Sequence, residues 1–172
     1  DDLESERQSL VQKVGENVII RKKESIGGDN LYSYIHSNGK VGALVSLKDD
    51  NEELGKDIAM HVTASNPKFL SPEDVDSETI EKEKQILKAQ VEDTNKPEEI
   101  IEKMIEGRLN KFLSEISLLK QPFVKDPSTS IENILNDHKN SIVEFTRIEV
   151  GEGIEVEQKD FASEVQAQLQ NS

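Results

Sequence analysis

The dipeptide Asn38-Gly39 limits the fold of this chain more than any other feature of the sequence. It stands between two β-prone runs, and both residues tolerate the positive φ that a two-residue type I′ hairpin turn requires. The pattern therefore predicts a β-hairpin from about Leu31 to Leu47. That register places His36 opposite Val41 at the exposed tip, where a side chain can reach a partner.

Amphipathic spacing predicts further elements on both sides of this hairpin. Residues 3–14 favour a helix that ends at Gly15, and residues 18–23 favour a strand. After the hairpin, Asp50 with Glu53 is typical of a capping box, and the helix that it opens ends at Asn66.

Two long charge-rich patterns, residues 77–93 and 98–118, predict an antiparallel pair of helices because only a short polar connection separates them. Their apolar seam is thin, which favours a hairpin that projects into solvent. Beyond it the chain returns through 121–124. Thr129 with Glu132 then predicts the cap of a short helix, and residues 142–150 predict the last strand.

Taken in order, these elements predict an α+β fold: small antiparallel sheets flanked by helices, with an inserted protruding antiparallel helical hairpin. The expected divisions are a first part of the core (1–72), the inserted helical hairpin (73–120), a return strand of the core (121–155) and a C-terminal helical module (156–172). In the last of these, Phe161, Val165 and Leu169 recur at steps of four and predict a one-sided apolar stripe.

Composition excludes several classes of function. The 21 Lys and Arg against 35 Asp and Glu give a formal net charge of −14, which repels phosphate backbones and anionic lipid. Direct nucleic-acid binding and membrane binding are therefore not expected. The 172 residues contain no cysteine, so thiolate chemistry and Cys-based zinc sites are absent, and a cytosol-like compartment is expected.

No motif for a cofactor, a metal or a catalytic group stands out. The phosphate-binding pattern G-x-x-x-x-G-K-S/T does not occur, and the three histidines lack the H-E-x-x-H spacing of a zinc site. His61 lies within the apolar stripe of its helix, which favours a hydrogen-bonded core histidine over a catalytic one. We expect no cofactor, no metal and no enzyme activity.

Five separated segments carry a more specific signal than any single motif. They are residues 14–18 (VGENV), 58–62 (IAMHV), 101–112 (IEKMIEGRLNKF), 121–124 (QPFV) and 149–154 (EVGEGI). In this order and spacing the chain closely resembles the elongation factor Ts family, whose members are guanine-nucleotide exchange partners of the translational GTPase elongation factor Tu. The similarity runs from about Leu3 to the end.

The resemblance implies a protein that binds the GDP form of elongation factor Tu, loosens its magnesium and phosphate contacts, and favours the nucleotide-free state. It implies that the turn at Val14 and Gly15 meets the nucleotide-binding domain of the GTPase and that His36 meets its third domain. The stripe of Phe161, Val165 and Leu169 resembles a C-terminal module that also reaches the GTPase. The plainer alternatives stay open: that Val14 and Gly15 only end a helix, that His36 is an idle surface residue, and that the C-terminal stripe packs on the chain's own core.

One departure from the family pattern is large. The family carries a ubiquitin-associated-like N-terminal domain and a Thr-Asp-Phe-Val segment upstream of the matching region, and neither occurs here. We therefore expect a fragment that retains docking surfaces and has reduced exchange activity, in the cytoplasm of a bacterium or, as the less favoured alternative, an organelle matrix. A competing hypothesis makes residues 77–118 a self-association surface, in an oligomerisation scaffold or a chaperone-like subunit.

Overall fold

The structure, a computed structural model, describes residues 2–91 and 97–154. Within these ranges the helices are α1 (Asp2–Val14), α2 (Glu52–Ser65), α3 (Ser77–Val91), α4 (Glu98–Ile116) and α5 (Ile131–Asp137). The strands are β1 (Asn30–Ile35), β2 (Val41–Leu47), β3 (Pro122–Phe123), β4 (Asp126–Ser130) and β5 (Ile142–Glu149). Short 3-10 turns lie at Pro72–Asp74 and Leu118–Lys120. The α+β prediction is confirmed.

The strands form two small antiparallel sheets. The larger has the order β1-β2-β5, and the smaller pairs β3 with β4. Helix α2 packs on one face of the larger sheet, where Val45 and Leu47 meet Ile58 and Val62 in a fully buried core. Burial of each side chain of this size contributes about 1.5–3 kcal/mol relative to exposure.

Tyr32 of β1 joins the sheet to α2 by a close contact. A Cβ atom on Gly55 would overlap the Tyr32 ring, so the helix can approach this closely only with glycine at that position. The Tyr32 hydroxyl donates to Asp50 Oδ1 (2.5 Å) and accepts from the Asn51 backbone N–H (2.9 Å). The ring is therefore held at both ends, by the helix below it and by the loop that leads into the helix.

The N-terminus of α2 corrects the predicted capping box. The N-cap residue is Asn51, whose Oδ1 accepts from Leu54 N at 3.1 Å, and not Asp50. Asp50 instead accepts a hydrogen bond from the Tyr32 hydroxyl. Because this tertiary contact engages the Asp50 carboxylate, the next residue caps the helix. The C-terminal prediction is confirmed, because Asn66 follows the helix in the left-handed region with φ 48°.

The register of the β1–β2 hairpin is confirmed, but the predicted type I′ turn is wrong. Ile35 pairs with Gly42, as the predicted register requires. However, Gly39 N donates to His36 O (2.8 Å), so Ser37 and Asn38 are the central residues of the turn. Asn38 Oδ1 accepts from Lys40 N at 2.9 Å, and only Gly39 takes the left-handed conformation, with φ +67°.

The predicted strand at residues 18–23 is also wrong. In the described part of the chain this segment pairs with no strand, and Ile19 and Ile20 are exposed. Side-chain hydrogen bonds connect it to the rest of the chain instead. Arg7 Nη1 donates to Val18 O (2.9 Å), and Arg21 Nη2 donates to Glu152 O (2.9 Å). β-branched residues alone do not make a strand when no neighbouring strand accepts their backbone hydrogen bonds.

The smaller sheet has no signal in the sequence, because β4 reads DPSTS, with no hydrophobic alternation. The short helix that follows it is displaced by one residue from the prediction. Its N-cap is Ser130, whose Oγ accepts from Asn133 N at 3.2 Å, and not Thr129. The helix does include Leu135, which is buried in the main core.

Helices α3 and α4 form the predicted inserted hairpin. Its buried side chains among the described residues are few, namely Leu87, Val91 and Leu109, and none of them belongs to the main core cluster. At its base, Lys68 N and Phe69 N both donate to Ile116 O (2.8 and 3.1 Å). The chain therefore leaves the core and re-enters it at one place. The boundaries at residues 72, 120 and 155 stay predictions.

His61 of α2 is the buried, hydrogen-bonded histidine that the sequence predicts. Its side chain is 0% exposed, and its Nε2 lies 2.9 Å from Gln121 Oε1. Its Nδ1 accepts from Val124 N (3.2 Å), which leaves the proton on Nε2 to be donated to Gln121. Gln121 Nε2 then donates to Glu115 O (2.6 Å), so one chain of hydrogen bonds links α2 and α4 to the residues on either side of β3.

Replacement of Gly55 by alanine should destabilise the fold by about 1–3 kcal/mol, because the new methyl group overlaps the Tyr32 ring in a packed core. Gly107→Ala is the matched control. Gly107 lies in α4, and a Cβ atom there would meet nothing within 4 Å, so alanine should stabilise by about 0.5–1 kcal/mol. Urea unfolding of both variants measures the two free energies. Equal effects at the two positions would contradict the close contact at Gly55.

The free energy of unfolding should fall as pH drops below 6.5, in part because of His61. Burial lowers the pKa of His61 from its ordinary value of 6.5, so the unfolded chain binds the proton more readily than the folded one. The contribution is complete above about pH 6.5 and is lost as pH falls toward the lower folded pKa. Urea unfolding at pH 7.5 and pH 5 should show a flatter pH dependence for His61→Leu than for the original chain.

Val62→Ala serves as the control for this measurement, because Val62 is buried on the same helix and has no titratable group. That variant should keep the pH dependence of the original chain. If His61→Leu keeps it as well, the acid sensitivity belongs to the carboxylates and the role given to His61 is wrong.

Candidate functional site

The tip of the β1–β2 hairpin holds His36 on a rigid backbone. His36 N donates to Val41 O (2.9 Å), and its own carbonyl accepts from Gly39 N (2.8 Å). The side chain is exposed, and its Nδ1 accepts a long hydrogen bond from Asn38 N (3.4 Å). The backbone is therefore fixed while the imidazole faces solvent, as the sequence predicts.

Exposed apolar residues surround this tip. Val150 follows β5 and donates from its backbone N to Lys40 O (2.8 Å), which places the end of β5 beside the turn. Ile35 is 71% exposed and Val150 is 70% exposed. Exposed apolar side chains that cluster in this way mark interaction sites more often than isolated ones do.

A groove runs across the sheet next to the tip, on the face opposite α2. Gly42 pairs with Ile35 on one side and with Ile148 on the other. Because Gly42 has no side chain, the two isoleucines flank an open position, and the groove there has a volume of about 360 Å³. We call Ile35, His36, Ile148 and Val150 the tip surface.

Of this set, sequence reasoning singles out only His36. The strand patterns include Ile35, Ile148 and Val150 but assign them to no face. The alternation Leu31, Ser33, Ile35 could have shown one outward apolar side of β1. The pairing that brings Ile148 alongside joins residues more than a hundred positions apart in sequence.

Val14 and Gly15 lie at the end of α1, where the sequence places them. Val14 is the last helical residue and is 52% exposed. Gly15 has φ +75°, and its N–H donates to Val11 O (2.9 Å), which is a left-handed helix cap. This geometry explains the glycine by helix termination alone, and it also leaves Val14 available to a partner.

Helix α1 has no buried residue, and Leu3 and Leu10 are exposed along with Val14. The helix is connected to the chain that follows by Arg7, whose guanidinium also pairs with Glu4 at 2.6 Å. Hydrogen bonds from Arg7 lower the pKa of Glu4 to about 2. No hydrogen bond between described residues joins the end of α1 to the tip surface. Phe161, Val165 and Leu169 lie outside the described residues.

Neither a metal-binding cluster nor a buried histidine with a free ring nitrogen lies among the described residues. Within 2–91 and 97–154, no group of three or more His, Asp or Glu side chains could hold a metal ion. His61, the one buried histidine in these ranges, is occupied on both ring nitrogens by Gln121 and Val124. None of the helices in the described ranges is long and apolar enough to cross a membrane.

Comparison with known proteins gives one consistent result. The family model described as Elongation factor TS matches residues 1–152. Elongation factor Ts of Hahella chejuensis is 50% identical over 167 residues, which cover 97% of this chain and 58% of that protein. The protein of the same name from Azotobacter vinelandii is 52% identical over 170 residues, covering 98% and 58%. The one from Marinobacter nauticus is 49% identical over 166 residues, covering 96% and 57%. The chain therefore spans 57–58% of the length of these relatives.

Proposed function

Because the chain belongs to the elongation factor Ts family, we propose that it binds the translational GTPase elongation factor Tu and promotes release of GDP from it. The observation that carries this proposal is the family match over residues 1–152, with about half of the residues identical in several relatives. The structure supports it by exposing apolar side chains beside the hairpin tip.

An exchange factor of this kind acts by binding and not by making or breaking bonds. It must bind the nucleotide-free conformation of the GTPase more tightly than the GDP-bound conformation, and this difference in affinity sets how far GDP binding is weakened. By the same linkage, GDP weakens the binding of the factor. A chain with rigid, exposed contact points suits this role, because little ordering entropy is lost on association.

The proposal assigns a role to each predicted contact. The tip surface, which includes His36, would meet the third domain of the GTPase, and the exposed apolar residues near His36 would enlarge that contact. Val14 and Gly15 would meet the nucleotide-binding domain. Phe161, Val165 and Leu169 would add a third contact. We place the protein in the bacterial cytoplasm, because the relatives are bacterial proteins.

The chain should accelerate GDP release from elongation factor Tu, but less than a full-length relative does. It spans only 58% of the relatives' length, and the Thr-Asp-Phe-Val segment of the family does not occur in it. Stopped-flow release of fluorescent GDP measures the rate against factor concentration. Full-length elongation factor Ts from Azotobacter vinelandii, 52% identical, is the reference.

Two outcomes of that experiment would contradict the prediction in different ways. No acceleration at any concentration would remove the exchange function from this chain. A rate equal to that of the reference would show that the part of the relatives that this chain does not span is dispensable. Sedimentation of the chain alone would test the competing hypothesis, since a scaffold assembled through α3 and α4 requires a species larger than one chain.

His36→Ala should weaken binding to elongation factor Tu about fivefold or more while leaving the fold's stability nearly unchanged. An interface side chain that fills a partner pocket costs about 1 kcal/mol or more when truncated. A surface substitution changes the free energy of unfolding by less than about 0.5 kcal/mol. Calorimetric titration and thermal unfolding of the same variant supply the two numbers.

Lys82→Ala on exposed α3 is the control, and it should change neither quantity. Unchanged affinity of His36→Ala would remove His36 from the interface. A large drop in melting temperature would instead show that His36 is a packed residue.

A further inference from the structure

A second cleft lies on a different part of the molecule from the tip surface. It has a volume of about 360 Å³ and opens between the first half of α2, the β3–β4 sheet and α5. Its floor is apolar and consists of Leu54, Ile58 and Phe123, which all belong to the main core cluster. The volume lies within the range of clefts that hold a side chain or a small ligand, about 300–1,000 Å³.

The rim of this cleft carries three carboxylates and one histidine, His138. Glu53 and Asp57 stand one helical turn apart on α2, and Asp126 lines the opposite wall at the start of β4. Hydrogen bonds from the Ser128 hydroxyl and backbone lower the pKa of Asp126, so its carboxylate is ionised at neutral pH. The whole chain has a formal net charge of −14, which adds long-range attraction for a cation.

One cation already lies at this rim. Lys125 Nζ pairs with Asp57 Oδ1 at 2.6 Å, and both side chains are partly exposed. The Glu53 carboxylate has no hydrogen bond or ion pair with any described residue, and within the same ranges the Asp126 carboxylate accepts only from Ser128. The negative charge of the rim is thus only partly neutralised by the described residues themselves.

We propose that this cleft, which we call the α2–β4 cleft, binds an arginine side chain presented by a protein partner. The apolar floor accepts the methylene stem, since long basic side chains bury their stems and keep the charged end in water. The guanidinium has five donors in a planar fork and can serve more than one carboxylate, which a lysine ammonium does less well. Because Asp57 already pairs with Lys125, the guanidinium is directed toward Glu53 and Asp126.

The occupant follows from charge complementarity and from the shape of the floor. A metal ion is not favoured, because no group of ligating side chains within the described ranges could hold one. A purely apolar side chain would leave the carboxylates facing it without a partner. This proposal does not depend on the exchange function, since it uses none of the residues assigned to that role and its test contains no GTPase.

The test uses three short peptides, acetyl-Gly-Xaa-Gly-amide with arginine, citrulline or lysine in the middle. Citrulline has nearly the shape of arginine but no charge. Titration of the full, isotope-labelled chain, followed by amide NMR shifts, should place the arginine peptide at residues around Glu53, Asp57 and Phe123. Binding of the citrulline peptide should be about threefold to tenfold weaker, as expected for loss of one or two exposed ion pairs. The affinity for the lysine peptide should lie between the affinities for the arginine and citrulline peptides.

Variants of the rim residues test which side chains bind the arginine peptide. Glu53→Gln and Asp126→Asn together should weaken the arginine peptide several-fold, and Lys125→Met should strengthen it by releasing Asp57. Glu98→Gln with Glu99→Gln removes the same number of charges from α4 and is the matched control, with no change expected. Glu53→Gln alone breaks no contact within the described structure. A reduced affinity of this variant for the arginine peptide is therefore not the result of a folding defect.

Three results with the peptides would overturn the proposal, and a fourth comes from spermidine below. The three are equal affinity for the arginine and citrulline peptides, shifts that map elsewhere on the chain, and an unchanged affinity in the rim variant. Spermidine is included as a free polycation. If it binds the same residues more tightly than the arginine peptide, the cleft serves a small polyamine and not a protein side chain.

Discussion

The contact between Tyr32 and Gly55 determines how the hairpin sits on α2, and most of the structure depends on that placement. The ring fills the space that a side chain at position 55 would occupy, and its hydroxyl is held between Asp50 and Asn51. The hydrogen bond to Asp50 also raises the pKa of Tyr32, which keeps the hydroxyl protonated as a donor. With β1 fixed in this way, the tip surface stands on a backbone that is paired with β2.

A second joint, at His61, connects this first unit to the chain that returns after the long insertion. Phe69 and Ser117 bridge at the base of the α3–α4 hairpin, so the insertion begins and ends at nearly the same point. His61 then binds the returning chain to α2 through a buried hydrogen bond with Gln121 and a partly buried one with Val124. A long insertion adds little closure cost when its ends are already held together. The α2–β4 cleft opens beside this joint, because Phe123 of the returning chain forms part of its floor.

The sequence by itself determined the features that depend on neighbouring residues. The hairpin register, the helix ends at Gly15 and Asn66, and the buried position of His61 could all be predicted, because each follows from local turn chemistry or from the spacing of apolar residues. The family resemblance could also be recognised without a structure, because it rests on the order and spacing of five short segments of the sequence.

Tertiary structure decided what depends on a distant partner. Residues 18–23 look like a strand but have no strand to pair with among the described residues, while β4 looks like a loop and pairs because β3 lies beside it. Asn51 and not Asp50 caps α2, because the Asp50 carboxylate accepts a hydrogen bond from the Tyr32 hydroxyl. Ile35 and Ile148 form one surface only because β2 lies between their strands and carries Gly42 at that position, and no local pattern encodes a neighbour that is brought near by folding.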